Sequence, residues 1–113
     1  MLGRRLEDTT EGSLPLPYDD LRDGDIWRIL DRETGEPKVV TEYPSNLTGE
    51  HWMCLAPGHM FGNLLAHTVR SHDDGTVSVR PGDGSSNSIL IGEGRTDRPS
   101  WHGYIEHNVW TAC

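Results

Sequence analysis

The chain has 113 residues, enough for one domain; only 34% of them are aliphatic or aromatic, whereas the 13 Gly and 7 Pro are high counts. Its net charge of −8 argues against a nucleic-acid ligand, because duplex binding sets several Lys or Arg against phosphates and here only Arg4-Arg5 stand together. Four Trp and clustered aliphatics exclude a wholly disordered chain, and no stretch approaches the roughly 20 apolar residues of a membrane span.

In chain order, residues 1–22 read as an extended, polar arm. Residues 1–5 are not followed by the apolar run of a signal peptide. Leu14-Pro15-Leu16-Pro17 favours a polyproline-like path, since each residue before Pro is pushed out of the helical region. Such a segment has little of its own to bury. The expectation is that it either stays loose or lies along a neighbouring surface, with Leu14, Leu16 and Tyr18 as anchors.

A single mainly-β domain is expected over residues 23–113, opening at Asp23-Gly24-Asp25. Ile26-Trp27-Arg28-Ile29-Leu30 is rich in branched and aromatic side chains and predicts a strand. A connection with Thr34-Gly35 at its tip, where Gly35 supplies a positive φ, leads to a return strand over residues 38–43. Another strand is expected over residues 51–56, stopped by Pro57-Gly58. Residues 63–70 fit a helix through Leu64, Leu65 and Val69, or a strand through Leu65, His67 and Val69; the turn at Asp73-Asp74-Gly75 favours the strand. Thr76-Val77-Ser78-Val79-Arg80 alternates cleanly, with Val77 and Val79 toward the core.

Ile89-Leu90-Ile91 predicts a short buried strand between two loops. Residues 101–106 and 109–112 form a closing hairpin across His107-Asn108. Trp101, Gly103 and Ile105 share one of its faces, and His102, Tyr104 and Glu106 the other. About eight short strands imply a small antiparallel sandwich or partly open barrel.

Chemistry-bearing patterns are sparse. In the loop over residues 81–88, Asp83, Ser85 and Asn87 fall at the first, third and fifth positions of a calcium loop. Ser88 and Gly94 then break the sixth and twelfth, which removes an EF-hand. Asp83, Ser85, Ser86 and Asn87 are retained as a ligand or partner loop. No close Cys/His pair of the kind zinc sites use occurs; any zinc site would draw on Cys54, His59 and His102. Cys54 with His59, or Ser100 with His102, lacks the surrounding motif of a nucleophile. Neither Gly-rich phosphate-binding fingerprint is present. No enzyme activity and no cofactor are expected. Asn46-Leu47-Thr48 matches a glycosylation acceptor, read as a coincidence in a chain without a secretory signal. An exposed Trp among Trp27, Trp52, Trp101 and Trp110 would mark a partner surface.

Three stretches, His67-Thr68-Val69-Arg70 through Val79, Gly82-Asp83-Gly84-Ser85-Ser86-Asn87-Ser88-Ile89-Leu90, and Trp101-His102-Gly103-Tyr104-Ile105-Glu106-His107, resemble a family of small proteins of actinobacterial tailed phages. The resemblance covers roughly the C-terminal half and implies origin rather than mechanism. A more distant similarity is to short phage-borne proteins with a Cys-Pro-x-Cys element and a later Cys-His. Here Cys54-Leu55-Ala56-Pro57 lacks the second Cys, and Trp101 precedes His102. The expected function is a phage-encoded, non-enzymatic structural or binding module, first of all a virion component such as a capsid accessory or decoration protein. The alternative is a host-takeover or anti-defence protein that binds a host protein or a small nucleotide. The partners expected are capsid subunits, self or another protein, with no nucleic acid and no membrane, in the virion or the host cytoplasm.

Overall fold

The computed structural model describes residues 1–79, 88–92 and 100–113. Within them run β1 (Arg4–Arg5), β2 (Thr9–Thr10), β3 (Asp25–Leu30), β4 (Trp52–Ala56), β5 (Met60–Asn63), β6 (Val69–Ser71), β7 (Val77–Val79), β8 (Ile89–Ile91), β9 (Trp101–Glu106) and β10 (Val109–Ala112), with one 3-10 turn at Tyr18–Asp20. The protein is mainly β, with 43% strand; among the described residues there are three small sheets, none closed into a barrel. Among the described residues, no helix is long and apolar enough to cross a membrane.

Strand β3 is the axis of the largest sheet. It pairs antiparallel with β4, placing Ile26 opposite Cys54 and Trp27 opposite Met53, and β4 pairs antiparallel with β5. On its other side β3 takes β1 and β2 in parallel. A second sheet has the order β10-β9-β8, and β6 with β7 forms a separate hairpin. Between them lies one core containing Ile26, Trp52, Cys54, Leu64, Val77, Val79, Ile89, Ile105 and Trp110. Gly62 allows the close approach of two sheets: a Cβ there would stand 2.5 Å from Ile91 Cδ1.

Several expectations agree with these elements. Strands β4, β7, β8, β9 and β10 fall within their expected ranges, although Leu90 in the middle of β8 is 44% exposed where a buried strand was expected. His107 and Asn108, with φ of 47° and 65°, make the two-residue turn between Glu106 and Val109. Both positive values give the twist that matches a right-handed hairpin.

The return strand over residues 38–43 is a correction. Gly35 does turn the chain at φ 72°, and the Asp31 carboxylate accepts from the Glu33 and Thr34 N–H groups. Beyond the turn, only the bridges Leu30 with Pro37 and Val39 with Glu50 form. The place beside β3 goes to β4, whose Trp52, Cys54, Leu55 and Ala56 are all fully buried, whereas Val39 stays 74% exposed. Burial of apolar area decides the pairing. The single strand expected over residues 63–70 is also corrected. β5 ends at Asn63, Leu64 is buried in the core, and β6 starts only at Val69.

The first ten residues differ most from the expected free arm. Gly3 N–H donates to Asn108 O at 2.7 Å, and Trp110 N–H donates to Met1 O at 2.8 Å, so the segment begins beside β10. It then crosses to β3, where Arg4 N–H donates to Gly24 O and Leu6 N–H to Ile26 O. Gly3 stands at the crossing because a Cβ there would lie 2.1 Å from Gly24 O. Arg4 reaches the fully buried Asp25 through Nε and Nη2, both at 2.7 Å, and the Arg22 N–H donates to the same carboxylate.

Removing residues 1–10 is expected to abolish the cooperative thermal transition seen by circular dichroism, because β3 loses one edge and β10 its neighbour. Asp25→Asn leaves the Arg4 guanidinium without its counter-charge. We expect it to cost about 3 kcal/mol in denaturant unfolding, the lower part of the range for broken buried pairs, because Arg4 is partly solvated.

Candidate functional site

Strand β3 carries apolar side chains on both faces, since Ile26 points into the main core while Trp27 and Ile29 point away from it. Met53 on β4 and Phe61 on β5 join Trp27 and Ile29 on that outer side, as the period of two requires. His51, just before β4, stands at the end of the row and accepts the Ile29 N–H on its carbonyl at 2.8 Å.

Residues 11–21 cross this outer face. Leu21 is buried there. The Tyr18 ring packs 6.0 Å from Phe61 and 5.9 Å from His59, and Phe61 meets Trp27 nearly perpendicular at 6.3 Å and 82°. Of the three expected anchors, Tyr18 has such ring contacts within its own chain. Tyr18 keeps 54% exposure, Leu16 is half-buried, and Leu14 stands at the rim of an opening.

That opening is a cleft of about 340 Å³ lined by residues 11–14 together with Trp27, Ile29, His51, Met53 and Phe61. Its volume is at the lower end for small-molecule sites, and its walls are mostly apolar, as such sites are. The Glu11 carboxylate at its rim is already engaged: Lys38 Nζ donates to it at 2.8 Å, which holds its pKa below the usual range. Arg32 donates to the Glu11 carbonyl at 3.0 Å.

His51 is different. Both its ring nitrogens are shielded from solvent and neither has a hydrogen-bond partner in the protein. Burial, with a smaller contribution from the Lys38 charge, pushes its pKa down. The imidazole is thus the neutral form at pH 7, with one N–H and one lone pair. It also walls a second cleft, lined by Lys38, Val39, Val40, Glu42, Tyr43 and Leu65. Among the described residues, the other buried side-chain atom without a partner is Trp110 Nε1, which lies in the main core against Gly3. We have no physical account of that atom.

The remaining candidates separate. Cys54 is fully buried, and desolvation pushes its thiol up to about 12, so it is a core side chain rather than a nucleophile or ligand. His59, in the turn between β4 and β5, bonds Asp23 Oδ1 through Nδ1 at 3.1 Å. His102 is exposed on β9. These three do not meet, and among the described residues no group of three His, Cys, Asp or Glu is placed to hold a metal ion. Asp83, Ser85, Ser86 and Asn87 lie outside the described residues.

His72 and His107 stack at 3.9 Å. Ser78, which is buried, accepts the His107 N–H and bonds His72 Nε2, both at 2.8 Å, clasping the β6–β7 hairpin to the β9–β10 turn. Asn46, the formal glycosylation acceptor, is buried, and its Nδ2 donates to the carbonyls of Glu50 and Leu65, each at 2.9 Å. Its amide is structural.

The sequence-level reading overlooked His51, Met53 and Phe61. A usable signal was present: residues 26–30 are apolar at nearly every position, which marks a strand covered on both faces. Compared with known proteins, the chain matches no family model, no curated protein and no solved structure.

Burial lowers the pKa of His67 as well as His51 from the ordinary 6.5. Below that pH the unfolded chain takes up protons that the folded chain binds less readily, so stability falls as the solution is acidified and recovers above it. His51→Phe removes one of these groups and two unpartnered nitrogens. The variant should therefore melt above the parent chain, with the gap widening from about pH 7.5 to about pH 5.5. A constant gap across that window would show that His51 titrates alike in both states.

Proposed function

We propose that the chain is a non-enzymatic binding module and that the cleft beneath residues 11–14 is its ligand site. The observation that carries this is His51, a neutral imidazole with both nitrogens unpartnered in the protein, set among Trp27, Ile29, Met53 and Phe61. A buried polar group left without a partner costs about 1–3 kcal/mol. Both nitrogens are shielded from solvent, so a ligand gains this contact only if the side chains around His51 give way.

The resemblance of the C-terminal half to small proteins of tailed phages supports reading such a module as phage-encoded. A virion role was expected largely from draping of residues 14–18 over a neighbouring subunit. Tyr18 packs on Phe61 of its own chain, while Tyr18 and Leu14 keep 54% and 44% exposure, which leaves an outward contact open to them. The host-takeover reading, in which a phage protein binds a component of the infected cell, is supported by the apolar cleft. Analysis of purified particles by mass spectrometry separates the two: absence from the particle supports the cellular role, and fixed stoichiometry supports the virion role.

The cleft itself is tested by ligand-observed NMR with a panel of neutral single-ring compounds. Met53 is half-buried in its wall. We expect several members to bind the parent chain and none to bind Met53→Arg, which fills the cleft with a guanidinium while leaving the melting temperature within a few degrees. A folded parent chain that binds no member of the panel overturns the proposal.

A further inference from the structure

We infer that the groove beside residues 38–43, on the connection from β3 to β4, is a docking surface for a segment of another protein in which an Arg or Lys stands next to an apolar side chain. This groove shares only His51 with the cleft beneath residues 11–14, and the inference does not rest on that cleft.

The connection is long and fixed. Residues 31–51 join β3 to β4 without a strand or helix of their own. Connections longer than about 15 residues that lack regular structure are uncommon and usually functional. Val40 N–H donates to Gly49 O at 2.7 Å. Leu47 N–H donates to the Thr68 hydroxyl, which in turn donates to Ser45 O, both at 2.7 Å. Thr68 is fully buried, as is the Asn46 amide that holds the Glu50 and Leu65 carbonyls. Two buried polar side chains thus tie the loop to the segment between β5 and β6.

With its polar anchors inside, the loop turns apolar side chains outward. Val39 and Tyr43 keep 74% and 39% exposure, and together with the half-buried Val40 and Leu65 they line the groove. A single exposed Val needs no explanation. A fixed group around one groove suits an interface, because little ordering cost remains to be met on binding, and Tyr is enriched among the residues that dominate binding.

Charge names the occupant. Lys38 is the one cation lining the groove, and it is already taken: its hydrogen bond to Glu11, and more weakly the Asp31 and Glu42 charges, raise its pKa. Glu42 is exposed, accepts the Thr41 N–H at 3.1 Å, and forms no ion pair among the described residues. The groove therefore has a carboxylate for an incoming cation and no cation for an incoming anion. A second copy is disfavoured by the same charges, since it would bring together two acidic surfaces of chains that each carry −8. Openness disfavours a small molecule. Small-molecule sites bury most of their ligand, whereas a groove walled by the largely exposed Val39 covers one side of its occupant.

The test selects binders to the full chain from a bead-bound library of random heptapeptides and measures the best of them by NMR titration. Enriched peptides should carry Arg or Lys beside Leu, Ile or Val. Tyr43→Ala should weaken the best peptide about tenfold, the effect of removing one dominant contact. Glu42→Lys should weaken it by a similar factor and flatten its dependence on salt. Both residues are exposed, so unchanged melting temperatures confirm that the variants fold. Met53→Arg should bind the peptide as the parent chain does, which separates this groove from the cleft beneath residues 11–14. A library that yields no binder, enriched peptides without a cation, or binding that survives both Tyr43→Ala and Glu42→Lys would overturn the inference. A concentration-dependent dimer in sedimentation that Tyr43→Ala abolishes would make the occupant a second copy and overturn it as well.

Discussion

Pairing of the first eleven residues with two different sheets is the constraint on which the rest of the structure depends. The segment begins beside β10, crosses at Gly3, and continues along β3 as far as the Glu11 N–H, which donates to Leu30 O at 3.0 Å. It thereby joins the largest sheet to the C-terminal hairpin through backbone hydrogen bonds. Small sheets are marginal by themselves, and two or three strands acquire stability only by sharing a buried face. Here the shared face exists because one strand spans both partners. Asp25 fixes the crossing: three donors converge on its buried carboxylate, from Arg4 and the Arg22 N–H.

The same path closes the other side of the sheet. After β2, residues 11–21 turn back over Trp27, Ile29 and Phe61, so that β3 lies between two covers. The inner cover is the main core. The outer one is thinner and incomplete, and its gap is the cleft. Upstream, Arg28 spans Asp8 and Glu50 while Arg5 lies over the Trp52 ring at 4.8 Å, so the segment between β1 and β2 is held by ion pairs and stacking as well as by the backbone. These pairs are partly solvated and each contributes modestly. Their joint effect is to fix the register from which residues 11–14 depart, and hence the mouth of the cleft.

Legibility in the sequence followed the range of the interactions. The β9–β10 hairpin was readable because its turn at His107-Asn108 and its alternation are local. The β6–β7 hairpin was readable from Val77 and Val79, flanked by Asp73-Asp74-Gly75. The pairing of β3 was not. Gly35 pointed to residues 38–43 as its neighbour, and only the comparison of what Val39 and Trp52 bury selects β4. The parallel pairing of β1 and β2 left no trace, since strands of two residues show no period and Arg4-Arg5 read as a charged end. Tyr18 was read as an anchor for a neighbouring surface, and its contact with Phe61 of the same chain depends on residues far along the sequence.

The candidate site was hidden for a related reason. Searches for chemistry in a sequence weigh residue types that act in groups, and by that measure Cys54, His59 and His102 outranked His51. The structure reverses the ranking by burial and partners. Cys54 is a core thiol, His59 is held by Asp23, and His102 is exposed on β9. The one fully charged group among the residues that line the cleft, Glu11, is met by Lys38. Ser78 satisfies His72, whereas His51, like Trp110 Nε1 in the main core, has no partner among the described residues. The contrast between those two histidines, one clasped and one unpartnered beside an apolar opening, is what sets the cleft apart from the rest of the surface.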